Sequence, residues 1–425
     1  MAVLDCRRAL RTLRRPRPLL RASLEVANAL NGVRPLSRRG YASIAVFWFG
    51  WPTTEVPNVL GVASVLDAVR RGLRGDFDGR RGRAALGLTA LSWALLAVLY
   101  RRNVTTPGPV LRRALDEGLG ADYPEALATL PTSPSRSGRP SGALRTTLIR
   151  RRYVDRSSII RYGPHRANRA DVWRRRDLPR DGKAPVLLQV PGGAWAIGMR
   201  RPQAYPLMSH LADRGWICVS IGYRVSPLHT WPDHIVDVKR ALAWVKEHIA
   251  DYGGDPDFVA ITGGSAGGHL AALAALTPND PQFQPGFEGA DTSVVAAVPV
   301  YGRYDWYSAH GEGRREFLLF LERLVVKKRI AEHRDVFLAA SPIRRLHPDA
   351  PPFFILHGTD DSIIPVGEAR QFVAAIQRVS NAPAPYAELP GAQHAFELFG
   401  SPRAYQCAEA VGRFLSWVYA TSRRD

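Results

Sequence analysis

Ser265 lies in Gly263-Gly264-Ser265-Ala266-Gly267, between an apolar run at 258–262 (FVAIT) and an alanine-rich stretch at 269–276 (HLAALAAL). A G-x-S-x-G segment permits a strand-to-helix turn too sharp for larger side chains, and the turn holds the serine hydroxyl out over the sheet edge. The helix that begins just after Ser265 directs its positive N-terminal end at the reacting centre. A glycine-rich turn with no chemical role is the plainer alternative; the strand before it and the helix after it weigh against that. Ser265 is therefore read as a nucleophile, which needs a base to take its proton and an acid to orient the base.

In this context the chain order is nucleophile, acid, histidine. Of eleven histidines only His394 follows the best acid candidate, in a glycine-containing loop at 389–396 (LPGAQHAF). His357, His269 and His347 read as strand-end, elbow-helix and surface-loop residues. The acid lies in 353–362 (FFILHGTDDS), where an apolar strand runs into a loop. One buried carboxylate is needed to hold the imidazole tautomer, and periodicity does not separate Asp360 from Asp361. Charge developing on a carbonyl oxygen must meet N–H donors fixed in advance. The strand at 186–190 ends in Pro191-Gly192-Gly193-Ala194-Trp195. The N–H groups of Gly193, Ala194 and Ala266 are the expected donors, against the alternative of an ordinary glycine turn. Trp195 is expected to line the substrate pocket or to pack in the core.

These residues have to be carried to one place. Short β-type runs at 185–190, 216–221, 258–262, 294–300 and 353–356 alternate with helix-like stretches. That alternation predicts an α/β fold, a mostly parallel sheet with helices on both faces. Residues 314–334, with Phe317-Leu318-Leu319-Phe320-Leu321, read as an amphipathic helical insertion that covers the site or packs as an ordinary helix. The segment 131–142 (PTSPSRSGRPSG) has linker composition. The expected organisation is a basic arm at 1–40, apolar helical segments at 41–100, a linker at 101–144, and a catalytic domain at 145–425 with a helical insertion near 305–340.

The 425-residue chain carries a formal charge of +20, and all of the excess precedes the chemistry: residues 1–183 hold 35 Lys and Arg against 14 Asp and Glu, whereas 184–425 hold 23 against 24. A basic flank meets anionic lipid or nucleic acid, or is simply solvated. The apolar run at 41–66 contains Pro52, Glu55 and Pro57 and is a weak spanning candidate. The run at 84–100 (AALGLTALSWALLAVLY) is uncharged over 17 residues, between Arg80, Arg81 and Arg83 on one side and Arg101 and Arg102 on the other. That is the lower limit for crossing a bilayer. Trp93 and Tyr100 suit a headgroup boundary, and the flanking arginines can snorkel; a helix packed on the catalytic domain is the alternative. Membrane association through residues 41–100 is expected, a cytoplasmic location otherwise. No nucleic-acid partner is expected, because the N-terminal arginines are interrupted by apolar residues and form no recognisable motif. A cleavable signal peptide does not fit, since the first apolar run begins only at Tyr41. Cys6, Cys218 and Cys407 lack C-x-x-C spacing and predict neither a disulfide framework nor a zinc site.

From about residue 145 onward the chain resembles the α/β-hydrolase carboxylesterases of the hormone-sensitive-lipase-like group. The residues that carry the likeness are Pro191 to Trp195, Tyr223-Arg224-Val225-Ser226-Pro227, Gly253-Gly254-Asp255-Pro256, Gly263 to Gly268, His357 to Asp361 and His394-Ala395-Phe396. The resemblance implies the α/β-hydrolase fold and hydrolysis of carboxylic esters through an acyl-enzyme. It also points to Asp361 as the acid, the fourth residue after the histidine of an H-G-x-x-D loop. Pro191 and Ala194 stand where the group commonly has His and a third Gly; backbone donors survive both changes. Segments 192–198 and 251–256 also look like membrane-attached prenylcysteine methylesterases, and the apolar N-terminal addition looks like membrane-associated mycobacterial lipase or esterase proteins. The implied function is a serine carboxylesterase or lipase with a small-molecule or lipid ester as substrate and with no metal or organic cofactor. The alternatives are an amidase-type hydrolase on the same triad and a membrane-tethered binding protein without turnover.

Overall fold

A computed structural model describes residues 18–38, 40–120, 122–128, 149–307 and 314–423. Helices come first: α1 (Pro18–Val33), α2 (Ala42–Glu55), α3 (Pro57–Gly72), α4 (Gly79–Thr105), α5 (Pro107–Leu119) and α6 (Tyr123–Ala128). The apolar stretch 41–66 is broken between α2 and α3, because Pro57 has no N–H to continue α2 and instead opens the first turn of α3. Residues 101–105, 107–119 and 123–128, expected within a linker, are helical. Pro107 and Pro109 look like breakers in the sequence, but proline in a first turn loses no hydrogen bond. Leu111, Ala114 and Leu115 of α5 are buried in the catalytic core. The linker-like segment 131–142 and residues 1–17 of the basic arm lie outside the described residues.

The first four helices have an inverted pattern. On α4 the buried positions are Gly82, Ala85, Thr89, Ser92, Leu96, Leu99 and Asn103, a stripe at spacings of three and four that faces α1, while Leu86, Leu91, Val98 and Tyr100 are exposed. Small residues let the helices approach closely, and the large apolar ones point away. All but five of the exposed large apolar side chains among the described residues lie between Leu19 and Val104; the five are Ile159, Ile197, Met199, Leu228 and Val379. A helix unit in water has the opposite distribution. Gly79–Leu119 includes a stretch apolar and long enough to cross a membrane.

The remainder alternates strands and helices. Eight strands, β1 (Ile159–Arg161), β2 (Arg169–Trp173), β3 (Ala184–Val190), β4 (Ile217–Ile221), β5 (Gly254–Gly264), β6 (Ala296–Val300), β7 (Ile355–Gly358) and β8 (Tyr386–Leu389), form one sheet in the order β1-β2-β4-β3-β5-β6-β7-β8. β2 runs antiparallel to β1 and β4, and all other pairs are parallel. Side chains alternate between two cores: Val259 and Ile261 of β5 enter one, Phe258 and Ala260 the other. The first core is covered by α8 (Asp233–His248), α9 (Ala266–Leu276) and α12 (Gly367–Val379), the second by α7 (Tyr205–Ala212) and α13 (Pro402–Thr421). Between β6 and β7 lie α10 (Arg314–Phe320), a π-helical turn (Leu321–Val325) and α11 (Arg334–Ala339). Pairing of Val190 with Gly263 and of Gly264 with Val300 aligns the C-terminal ends of β3, β5 and β6. Loops leaving parallel strands at one edge are where such sheets build sites.

Candidate active site

Ser265 occupies the bend between β5 and α9 with φ 57° and ψ −121°, a backbone that an L-residue adopts only when its surroundings enforce it. Glycine makes the room. A Cβ on Gly263 would lie 2.4 Å from the Gly267 carbonyl oxygen, and one on Gly264 would lie 2.6 Å from the Tyr301 hydroxyl. The Ser265 N–H donates to the Val300 carbonyl, and the His269 N–H donates to the Ser265 carbonyl, both at 3.0 Å. At the far end of α9 the buried Lys239 ammonium donates to the carbonyls of Ala274, at 3.2 Å, and Thr277. The Lys239 amine, which burial lowers to about 7, thus caps the carbonyl end of the helix, and the serine sits at its positive end.

The loop after β3 closes over this bend. A Cβ on Gly192 would meet the Gly264 carbonyl oxygen at 2.6 Å and Ser265 Cβ at 3.2 Å. Gly193, Ala194 and Trp195 all have positive φ, at 127°, 51° and 55°. Gln203 fixes the loop by accepting from the Gly192 N–H at 2.7 Å and donating to its carbonyl at 3.2 Å. The N–H groups of Gly193 and Ala194 donate to no acceptor among the described residues. Trp195 lines the pocket beside Ser265 although its side chain is buried. Its indole N–H donates to His269 Nδ1 at 3.2 Å, and His269 Nε2 donates to the Ala340 carbonyl at 2.7 Å. Burial lowers His269 to about 3, so this ring is neutral.

His394 Nδ1 donates to Asp361 Oδ2 at 2.7 Å, while Asp361 Oδ1 accepts from the N–H groups of Ile363 at 2.9 Å and Ile364 at 2.7 Å. Asp360 turns away and pairs with Arg38 at 2.7 Å. His357 Nε2 donates to the Ile364 carbonyl at 2.8 Å and sits 3.4 Å from Asp361 Oδ2. Burial pushes the Asp361 carboxyl up, but the His394 and His357 rings outweigh it and hold the group well below the usual carboxylate range. Gln393 joins the two loops: its Oε1 accepts from the N–H of Ser362 at 2.8 Å and of His394 at 2.9 Å. The Tyr301 ring lies 4.6 Å from that of His394. A pocket of about 240 Å³ is bounded by Ser265, Ala194 and Trp195, by Phe317 and Phe320 of the insertion, and by Ile363.

Residues 177–376 match the BD-FAE family. The probable carboxylic ester hydrolase LipM of Mycobacterium tuberculosis is 49% identical over 423 residues, 97% of this chain and 96% of that protein. The chain belongs to the α/β-hydrolase esterases. The isoprenylcysteine alpha-carbonyl methylesterase ICME of Arabidopsis thaliana is 32% identical, over 53% of each protein. Among solved structures, the esterase Est2 of Thermogutta terrifontis with butyrate bound superposes with a TM-score of 0.52 at 26% identity, covering 60% of this chain and 92% of that one. The match to LipM is long enough to include the N-terminal helices.

The esterase is therefore a hydrolase of carboxylic esters. Several residues around its site were not found by reading the sequence. Gln393 adjoins the histidine, and its neighbour was the one signal available. Tyr301, Phe47 and Trp51 gave none, because each reaches the site from a distant element.

Proposed function

We propose that Ser265, His394 and Asp361 form the catalytic triad of a membrane-associated serine esterase. The observation that carries the reading is the 2.7 Å contact from His394 Nδ1 to the buried Asp361; the strained strand-to-helix bend that holds Ser265 supports it. Ser265 Oγ attacks the ester carbonyl and gives its proton to His394 Nε2. The charge on the former carbonyl oxygen is met by the N–H groups of Gly193, Ala194 and Ala266. His394 then protonates the leaving alkoxide, and the acyl group stays on Ser265. Water gives a proton to His394 as it attacks the acyl carbon, and the acid departs as Ser265 regains its proton. Asp361 holds the tautomer and stabilises the imidazolium without taking a proton.

Hydrolysis of p-nitrophenyl butyrate by the intact esterase and by Ser265→Ala tests this mechanism. The expected loss is at least ~10³-fold in kcat; retained turnover would remove Ser265 from its role. Membrane association rests on the apolar exterior of α1, α3 and α4 and on the basic first 183 residues. Flotation with phosphatidylglycerol vesicles tests it: the full chain is expected in the vesicle fraction, and recovery at the bottom of the gradient contradicts it.

A further inference from the structure

Residues from the N-terminal helices reach the ester pocket. Tyr41, Ser43 and Ile44 line it together with Ser265, Ala194, Phe317 and Phe320. Helix α2 is seated there firmly. Its start is set by the turn at Gly40, φ 60°, whose carbonyl accepts from the Ser43 hydroxyl at 2.8 Å. Three contacts then join this segment to the chain neighbours of the two loop-borne triad residues. The Trp51 indole N–H donates to the Ala395 carbonyl at 2.8 Å, the Ser362 hydroxyl donates to the Ser43 carbonyl at 3.4 Å, and Arg38 pairs with Asp360. The Phe47 ring lies 5.9 Å from the His394 ring, edge to face. Further along, Glu55 is fully buried and paired with Arg403 and with the Ser401 hydroxyl.

The pocket surface is mostly apolar, although Arg38 and Ser43 of this segment, with Arg303 and Glu316, also line it. Ile44 lines this space of about 240 Å³ together with Phe317 and Phe320, and Tyr41, which also lines it, is 81% exposed. An apolar chain on an ester held at Ser265 would be favoured by burial against these side chains.

We propose that α2 is a specificity element of the esterase and that Ile44 sets the length of apolar chain the pocket accepts. The proposal rests on Ser265 being the nucleophile. Residues distant from the catalytic core in sequence, and belonging to the helical unit with the apolar exterior, thereby choose the substrate. The substrate class is an ester with an unbranched apolar chain.

The test compares kcat/KM of the full-length protein with Ile44→Trp and Ile44→Ala, on p-nitrophenyl esters from acetate to dodecanoate and on acetate esters of alcohols from ethanol to dodecanol. Ile44 is 45% exposed, so both replacements fit the fold; a fluorophosphonate probe reports whether the site is assembled. In at least one series, the ratio of C10 to C2 activity is expected to fall at least tenfold in Ile44→Trp and to rise in Ile44→Ala. Ratios within twofold of the parent in both series and both variants, with labelling intact, would overturn the proposal. Absence of both turnover and labelling in the parent protein would instead strike the hydrolase reading beneath it.

Discussion

Ser265 is held by residues close to it in sequence or in the sheet: Gly263, Gly264 and Gly267 around the bend, Val300 on the next strand, and Gly192 pressed against it. His394 and Asp361 are held differently. Their loops are tied to each other by Gln393 and, across more than 280 positions of chain, to the N-terminal helices. Trp51 donates to the carbonyl of Ala395. Arg102 donates to the Gly391 carbonyl at 3.2 Å and, at 3.0 and 3.2 Å, to the last carbonyls of α1, Gly32 and Val33. The Ser265 half of the proposed triad is thus a local product of the α/β sheet, whereas the His394 and Asp361 half depends on how the helical unit docks. Changes in that unit should reach the histidine loop and leave the serine bend alone.

The largest separation is expected between the two adjacent aspartates. Asp361→Asn should lower kcat by ~10⁴-fold, as loss of the orienting carboxylate does in such triads. Asp360→Asn, which releases Arg38, should cost less than ~10-fold. Steady-state kinetics on one ester distinguishes them, and equal losses would break the assignment of roles. Next, Glu55→Ala should reduce the free energy of unfolding by ~3–5 kcal/mol, because it strands the buried Arg403 charge. A loss below ~1 kcal/mol in denaturant titration would mean that the helical unit is not docked through this pair.

Trp51→Phe should cost about 1 kcal/mol through the lost hydrogen bond to Ala395. If that loss falls on the histidine loop, kcat drops by about fivefold while the serine bend is unaffected. The smallest effect is on pH stability. Three arginines around Asp171 outweigh its burial and bring its carboxyl down from 3.8 to about 2, and Asp361 is lowered by its histidines. Both groups titrate lower in the folded chain than in the unfolded one, so their stabilisation is complete above about pH 4 and is lost as pH falls through the native values. The thermal midpoint should fall between about pH 4 and about pH 2, and less so in Asp171→Asn.

What could be read from the sequence divides along the same line. The nucleophile bend was legible because strand, glycines, serine and helix are contiguous. The five strands read from apolar runs are present, with boundaries shifted by at most four residues. β1, β2 and β8 are not among those five runs: β1 has three residues and β8 four, and β1 and β2 belong to the antiparallel edge, outside the alternating strand–helix pattern. Asp361 could be preferred over Asp360 only by resemblance, since what separates them is which carboxylate meets a ring 33 positions further on. Arg102, read as an arginine at a headgroup boundary, is drawn inward by carbonyls of α1 and of the histidine loop. Glu55 read as a defect in an apolar run because its partner Arg403 lies 348 positions away. The helicity of α5 was hidden by prolines that look like a linker until their place in the first turn is known.

Covalent labelling reads directly whether Ser265 is the nucleophile. The intact esterase would be treated with a fluorophosphonate and digested, and the modified peptide sequenced by mass spectrometry. A single adduct on Ser265, absent in Ser265→Ala and formed much more slowly in His394→Ala, is the predicted result. An adduct on another residue, or full hydrolytic activity in a protein left unmodified, would contradict it.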